Sequence, residues 1–153
     1  MKMINNKKYE FNFDSCSLNG LYLGSFIQKH EVKIPLQSYD NGYVIYTENN
    51  LITGIFLCIN EGYRDSKIFN GLYKKSSESI NFAKTTTPSD VISYFGKPLN
   101  CWNDGVGETY IYKNRKCEYE FFWDVRSKEV TLEYLIIDLS FKMKQRLLEA
   151  INI

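Results

Sequence analysis

Residues 117–124 alternate in side-chain character except at Phe122, and this pattern constrains the fold more than any other stretch of the sequence. An extended chain points successive side chains to opposite sides, so the segment has two distinct faces. One face carries Cys117, Tyr119, Phe121 and Trp123, and the other carries Glu118, Glu120, Phe122 and Asp124. The segment is therefore predicted to be a strand with one core face and one half-wetted, acidic face.

Two further extended segments flank this strand, at 108–113 and 129–139, and short polar turns connect the three. Three consecutive strands with short connections are typical of an antiparallel meander. Period two predicts how the third strand divides its side chains. One set is Val130, Leu132, Tyr134 and Ile136, and the opposite set is Thr131, Glu133, Leu135 and Ile137.

Two helices are predicted, one before the meander and one after it. Thr87 is a suitable N-cap, Asp90 places an acid in the first turn, and Gly96 ends the helix, which gives a short capped helix at 88–95. The last stretch, 140–152, has an apolar side and a charged side, which is typical of an amphipathic helix.

The N-terminal half is predicted to form shorter strands. They are predicted at 8–14, 21–23, 43–47, 51–60 and 79–82, with a further short strand near 68–69. Aromatic residues make up 16% of the chain, and pleated surfaces accommodate rings well. The predicted fold class is α+β, built mainly of antiparallel meander sheets.

The length of 153 residues fits a single domain, 1–153. Residues 43–51 resemble residues 109–117, since each copy follows an Asp/Asn/Gly turn and leads into a second apolar strand. This internal similarity indicates either two similar halves, at 18–60 and 85–139, or chance convergence of two hairpins.

Charge and hydropathy exclude several function classes. The formal net charge is +1, which gives no global attraction to nucleic acid or to an anionic membrane. The N-terminal residues have no apolar stretch of signal-peptide length, and no apolar run is long enough to cross a bilayer. We therefore expect a cytoplasmic protein that binds neither nucleic acid nor membrane.

The cysteines and the single histidine offer little for catalysis or metal binding. The four cysteines are Cys16, Cys58, Cys101 and Cys117, and no two of them have zinc-site spacing. We predict four reduced thiols, with Cys58 and Cys117 buried inside strands. His30 is far in sequence from Cys101, which is predicted to lie in a loop, so a Cys–His nucleophile is disfavoured. No cofactor is expected.

A surplus of rings and carboxylates near the meander predicts a protein-binding surface. Tyr and Trp give rigid contact area, and carboxylates complement a basic partner while they repel phosphates. The residues predicted to contact the partner are Trp102, Asp104, Glu108, Tyr110, Tyr112, Glu118 and Glu120. No catalytic residue is assigned.

Two alternatives stay open. Glu118, Glu120 and Glu133 are carboxylates that could hold a divalent metal or perform acid–base hydrolysis, if the fold brings them together. The competing interpretation of these acids is a solvated strand face. The second alternative is an architectural or regulatory subunit, which predicts a stable oligomer.

The segments Thr87–Pro98, Trp102–Gly105, Tyr110–Tyr112 and Glu118–Asp124 together resemble a known helix–meander unit. The unit is that of small protein A lipoproteins and β-lactamase-inhibitory-protein-like modules, and it is similar to small bacterial proteins that include candidate immunity proteins. The resemblance implies a protein that binds other proteins without catalytic residues, most concretely an immunity protein that covers a toxin's active site. The chain is expected to depart from the lipoprotein branch, because its first residues show neither a signal-peptide pattern nor a lipidation cysteine.

Overall fold

The structure, a computed structural model, describes residues 9–28 and 32–151. In these ranges the chain forms two β-sheets and two α-helices, which confirms the predicted α+β class. Three positions used in the sequence predictions lie outside the described residues: Lys8, His30 and Asn152. No helix in the described part of the chain is long and apolar enough to span a membrane.

The elements are short, and most are strands. In chain order the strands are β1 Tyr9–Asn12, β2 Ser17–Leu18, β3 Leu21–Tyr22, β4 Gln37–Ser38, β5 Tyr43–Glu48, β6 Leu51–Cys58, β7 Gly71–Lys75, β8 Glu78–Ile80, β9 Asn100–Asn103, β10 Gly107–Lys113, β11 Cys117–Asp124 and β12 Thr131–Leu139. The helices are α1 Pro88–Phe95 and α2 Phe141–Ile151, and short 3-10 turns lie at Tyr39–Asn41 and Tyr63–Asp65.

The strands form a small sheet and a large sheet. The small sheet has five strands in the order β3-β2-β1-β7-β8, and its β1–β7 pair is parallel. The large sheet has seven strands in the order β4-β5-β6-β12-β11-β10-β9, and all its described pairs are antiparallel. The predicted strands therefore pair mainly, but not wholly, in the antiparallel sense.

Several short strands were missed by the sequence patterns. The weakly patterned stretch before 79 contains β7, which turns into β8 through Ser76 and Ser77, both with positive φ. Residues 68 and 69, predicted as a strand, belong to none. Cys101 and Trp102 lie in β9 and not in a loop, because this edge strand pairs with β10 in regular register. These strands have little alternation of their own, so only their partners reveal them.

The predicted faces of β12 are wrong in part, because the strand contains a β-bulge. Trp123 pairs with Leu132 but Phe122 pairs with Tyr134, which leaves Glu133 as the extra residue. The carbonyl of Glu133 accepts hydrogen bonds from the backbone of Ile59 and Asn60 instead. The bulge shifts the side-chain alternation of β12 by one residue. Leu132 and Leu135 therefore both point into the core, although period two places them on opposite faces.

The main core lies between the two sheets and is rich in rings. Phe13, directly after β1, meets Tyr119 of β11 with ring centroids 5.5 Å apart. Helix α1 closes the same side of the large sheet, since its Phe95 lies 5.4 Å from Phe121. Thr87 is the N-cap, as predicted, and it forms a capping box with Asp90, since the two exchange side chain–backbone hydrogen bonds. Helix α2 contributes the partly buried apolar side chains Met143, Leu147 and Leu148.

The prediction of four reduced thiols is wrong for one pair, because a disulfide joins Cys16 to Cys117. The two residues are 101 positions apart in sequence, and both are fully buried where the turn after β1 meets the start of β11. Cys58 is a buried free thiol, as predicted, and Cys101 is an exposed one. Sequence spacing cannot reveal this pairing, since stacking of the two sheets creates it.

Candidate protein-binding face

The large sheet divides the predicted partner-binding residues between its two faces. Residues opposite each other on neighbouring strands point to the same side of a sheet. Glu108, Tyr110 and Tyr112 pair with Trp123, Phe121 and Tyr119, whose side chains point into the core. Glu118 and Glu120 point to the opposite side, which we call the outer face. The seven predicted residues therefore do not form one surface.

Tyr112 is a core residue and is not available to a partner. It is only 6% exposed, and its hydroxyl donates a hydrogen bond to the carbonyl of Gly96 at 2.8 Å. Its ring lies 5.4 Å from that of Phe95, and burial raises the pKa of Tyr112 to about 12. The phenol therefore fixes the C-terminal end of α1 to the sheet, so its inclusion in the predicted site has no support from its position.

Tyr110 and Glu108 also lie on the core side, nearer to the sheet edge. The Tyr110 ring meets the indole of Trp123 edge-on at 5.1 Å and is half-buried. Burial raises the pKa of Tyr110, and the carboxylate of Glu108 adds to the effect. These two residues are accessible only at the rim of the sandwich.

Asp104 organises the β9–β10 turn. Its Oδ1 accepts hydrogen bonds from the backbone N–H groups of Val106 and Gly107, at 2.9 and 2.8 Å. The Gly107 and Val106 hydrogen bonds lower the pKa of Asp104, because they stabilise the carboxylate form. The residue is exposed and carries a negative charge at the end of the edge strand.

The outer face brings together the remaining three predicted residues: Trp102, Glu118 and Glu120. Trp102 lies opposite Thr109, which in turn lies opposite Phe122. Glu120 sits in the next row, and Glu118 lies at the far end opposite Asp138. Trp102 is 49% exposed, so a large ring and two carboxylates share one accessible sheet surface.

Two carboxylates on this face, those of Glu120 and Asp138, are partly dehydrated. Burial raises the pKa of Glu120, which also accepts a hydrogen bond from the Tyr134 hydroxyl that opposes the shift. Asp138 is exposed as a residue, but its carboxyl lies directly over Gly54, and this local burial together with Glu118 raises its pKa. The face therefore keeps several acids close together.

Apolar residues missed by the sequence prediction lie among these acids. Phe122 stacks on Tyr134 with centroids 5.0 Å apart, and it and Ile136 stay half-buried. The alternation of 117–124 predicts that Phe122 lies on this face. The sequence does not predict the same for Ile136 and Asp138, since the register of β12 against β11 and the bulge place them on this side.

One end of the outer face is closed by the loop after β6. There Tyr63 and Arg64 cover Phe56, and the Arg64 guanidinium lies 5.2 Å from the ring centroid of Phe56. Arg64 also donates a hydrogen bond to the hydroxyl of Tyr46 at 3.0 Å. The loop extends as far as β12, since the Tyr63 ring lies 4.7 Å from that of Tyr134.

The acids of the hydrolase alternative are not brought together. Glu133 occupies the bulge of β12, and Glu118 lies opposite Asp138, so about 16 Å of strand separates the two acids along the sheet. Glu133 accepts a hydrogen bond from the Thr131 hydroxyl. Within residues 9–28 and 32–151, no group of three or more His, Cys, Asp or Glu residues is arranged to hold a metal ion.

Comparison of the chain with family models, with curated proteins and with solved structures finds no match.

Proposed function

We propose that this chain is a non-catalytic protein-binding module, most concretely a bacterial immunity protein that covers the active site of a cognate toxin. The observation that carries the proposal is the composition of the outer face: the partly buried Phe122 and Ile136 lie next to Glu120, and Glu118 and Asp138 form the following cross-strand pair. These two side chains form the partly exposed margin of the apolar cluster around Phe56 and Tyr134.

This arrangement has the features of a protein-recognition surface. Binding energy concentrates in large rings that become buried, and Trp102 and Phe122 are such anchors. The surrounding carboxylates favour a basic partner and speed its approach. Burial raises the pKa of Glu120, so this carboxylate lies where burial opposes its charge.

The hydrolase alternative is less well supported, because Glu133 is remote from Glu118 and Glu120. The resemblance to immunity proteins and the two similar halves stay proposals. The hairpins β5–β6 and β10–β11 lie on either side of β12 in one sheet, which is compatible with two related halves. A counterpart of α1 is not found among the described residues of 18–60, where the helical structure is the 3-10 turn at Tyr39–Asn41.

The proposal is tested with the product of the adjoining open reading frame as the partner. We expect that product to inhibit growth when expressed alone, and co-expression of this chain to restore growth and give a complex of the two purified proteins. Absence of both protection and binding would show that the proposed function is wrong.

Matched variants locate the binding face. Trp102→Ala and Glu120→Lys should weaken the complex by about tenfold or more each. Tyr22→Ala is the control for the ring, since Tyr22 is 47% exposed but lies on the small sheet, and Glu78→Lys is the control for the charge. Equal effects of site and control variants would place the interface elsewhere.

A further inference from the structure

We propose that the partner binds in part by adding an extended, basic segment of its own chain to the free edge of β9. The inference rests on the proposed function, since it describes how the same partner engages this sheet. The contacts proposed here are made by the backbone of β9, whereas the contacts proposed for the outer face are made by side chains.

Strand β9 is the least protected sheet edge in the described structure. It forms the end of the large sheet, and all four of its residues are exposed. Sheet edges are normally blunted by extreme shortness, by Lys or Pro, or by a bulge. Strands β3 and β4 are edges of only two residues each, and the edge strand β8 carries Glu78. β9 has neither Lys nor Pro, and its register with β10 is regular.

The ladder determines which backbone groups of β9 point outward. The N–H of Asp104 donates to the carbonyl of Gly107 at 3.2 Å, so these two residues form a hydrogen-bonded pair. Such pairs alternate along antiparallel strands, which places Trp102 in the next hydrogen-bonded pair with Thr109. The N–H and C=O groups of Cys101 and Asn103 therefore point away from β10, toward any added strand.

Exposed apolar side chains line the same edge. Leu99 is 61% exposed and Trp102 49%. A strand placed beside β9 lies about 4.8 Å away and covers part of each of these side chains. Backbone hydrogen bonds and apolar burial would then act together, as in other cases of β-strand addition.

The charges around β9 specify a basic segment. Asp104 lies at the end of the strand, Glu108 lies opposite Asn103, and Glu120 lies two strands away on the outer face. Hydrogen bonds lower the pKa of Asp104, so it stays ionised over the neutral range. Lys or Arg side chains of an added strand can reach Asp104 and Glu108, which lie about one and two strand spacings away.

A second copy of this chain fits the edge less well than a basic partner does. Self-pairing would bring two edges with the same acids together. It would also use only the short β9, about 13 Å long, and so fall short of the roughly 1,200 Å² that stable interfaces bury. A partner that also contacts the outer face can bury more surface, so we assign the edge to a partner segment.

The test uses short synthetic peptides as probes of the edge. One peptide alternates Lys with Val, a second alternates Glu with Val, and a third is the Lys–Val peptide with a central Pro. We expect the Lys–Val peptide alone to slow amide hydrogen exchange at Cys101 and Asn103, by about tenfold at saturation, and this effect to weaken as salt rises.

The matched variants are Cys101→Pro and Cys101→Val. Proline is tolerated at an edge position whose N–H faces solvent, so Cys101→Pro removes one outward donor without breaking the β9–β10 ladder. It should abolish protection at Asn103, whereas Cys101→Val should retain it. An unchanged circular dichroism spectrum verifies that both variants fold.

Several results would overturn strand addition while leaving the proposed function intact. They are protection confined to outer-face residues, equal binding of the Lys and Glu peptides, and unchanged binding by Cys101→Pro. A dimer seen by sedimentation and lost in Cys101→Pro would assign the edge to a second copy. Failure of the proposed function is a separate result, since it is read from the adjoining gene product and not from these peptides.

Discussion

The phenolic hydroxyl of Tyr134 donates a hydrogen bond to Oε2 of Glu120, with 3.3 Å between the two oxygens. The contact crosses from β12 to β11 and holds the carboxylate against the half-buried part of the outer face. Burial nevertheless dominates and raises the pKa of Glu120, and the nearby Asp138 adds to the increase. Ionised Glu120 therefore lowers the stability of the fold.

The pH dependence of stability follows from this raised pKa. The folded protein holds the Glu120 proton more tightly than the unfolded chain, so this residue's contribution to the free energy of unfolding falls as pH rises through its raised pKa. Glu120→Gln keeps an acceptor for Tyr134 without the charge. We expect the variant to match the wild type at acid pH, to be more stable at neutral pH, and to bind the partner more weakly.

Urea unfolding measured across the carboxyl range checks this prediction. Glu78→Gln, which removes an exposed carboxylate from the small sheet, is the control for the loss of a carboxylate. A wild type more stable than Glu120→Gln at neutral pH would contradict the assignment of burial as the dominant cause.

Gly42 and Gly20 should respond very differently to replacement by Ala. Both have positive φ, +73° and +80°, so both variants are strained by about 1 kcal/mol. A Cβ at Gly42 would also collide with the backbone of Ile68 and Phe69, whereas a Cβ at Gly20 meets nothing within 4 Å. We expect Gly42→Ala to destabilise by at least about 3 kcal/mol in thermal or urea unfolding. Similar losses for the two variants would show that the contact at Gly42 is relieved.

Tyr112→Phe separates a structural role from a binding role. The variant removes the hydrogen bond to Gly96 and should destabilise the protein by about 1 kcal/mol. Because Tyr112 is buried on the core side, partner affinity should stay within experimental error of the wild type. Loss of affinity without loss of stability would restore Tyr112 to the binding site.

The disulfide between Cys16 and Cys117 should make stability sensitive to reductant. It closes a loop of about one hundred residues, which lowers the entropy of the unfolded chain and contributes about 3–5 kcal/mol. We expect reductant to lower the free energy of unfolding of the wild type, measured in urea, by that amount. Reductant should not change the free energy of unfolding of a Cys16→Ser/Cys117→Ser double variant. Cys101→Ser, which changes an exposed free thiol, is the control.

Thiol titration of the denatured, unreduced protein gives an independent reading. Two free thiols are expected if the disulfide is present, and detection of all four would contradict it. The outcome also bears on location, since disulfides persist in oxidising compartments and are rare in the cytosol.

The predicted binding site was partly recoverable from the sequence. The alternation of 117–124 places Glu118 and Glu120 together on the non-core face without any tertiary information. It does not show on which face the neighbouring strand places Tyr110 and Tyr112. That depends on the register across the β10–β11 turn, and a shift of one residue would exchange the two faces.

Local chemistry in the sequence determined two parts of this protein. Period-two patterning marked β11, and capping residues around Thr87 marked the start of α1, because both signals arise between residues close in the chain. Tertiary structure alone decided the bulge at Glu133, the Cys16–Cys117 disulfide and the free edge of β9. Each of these depends on strands distant in sequence meeting in a particular register, and the free energy that selects a register comes from the packing of the whole sandwich.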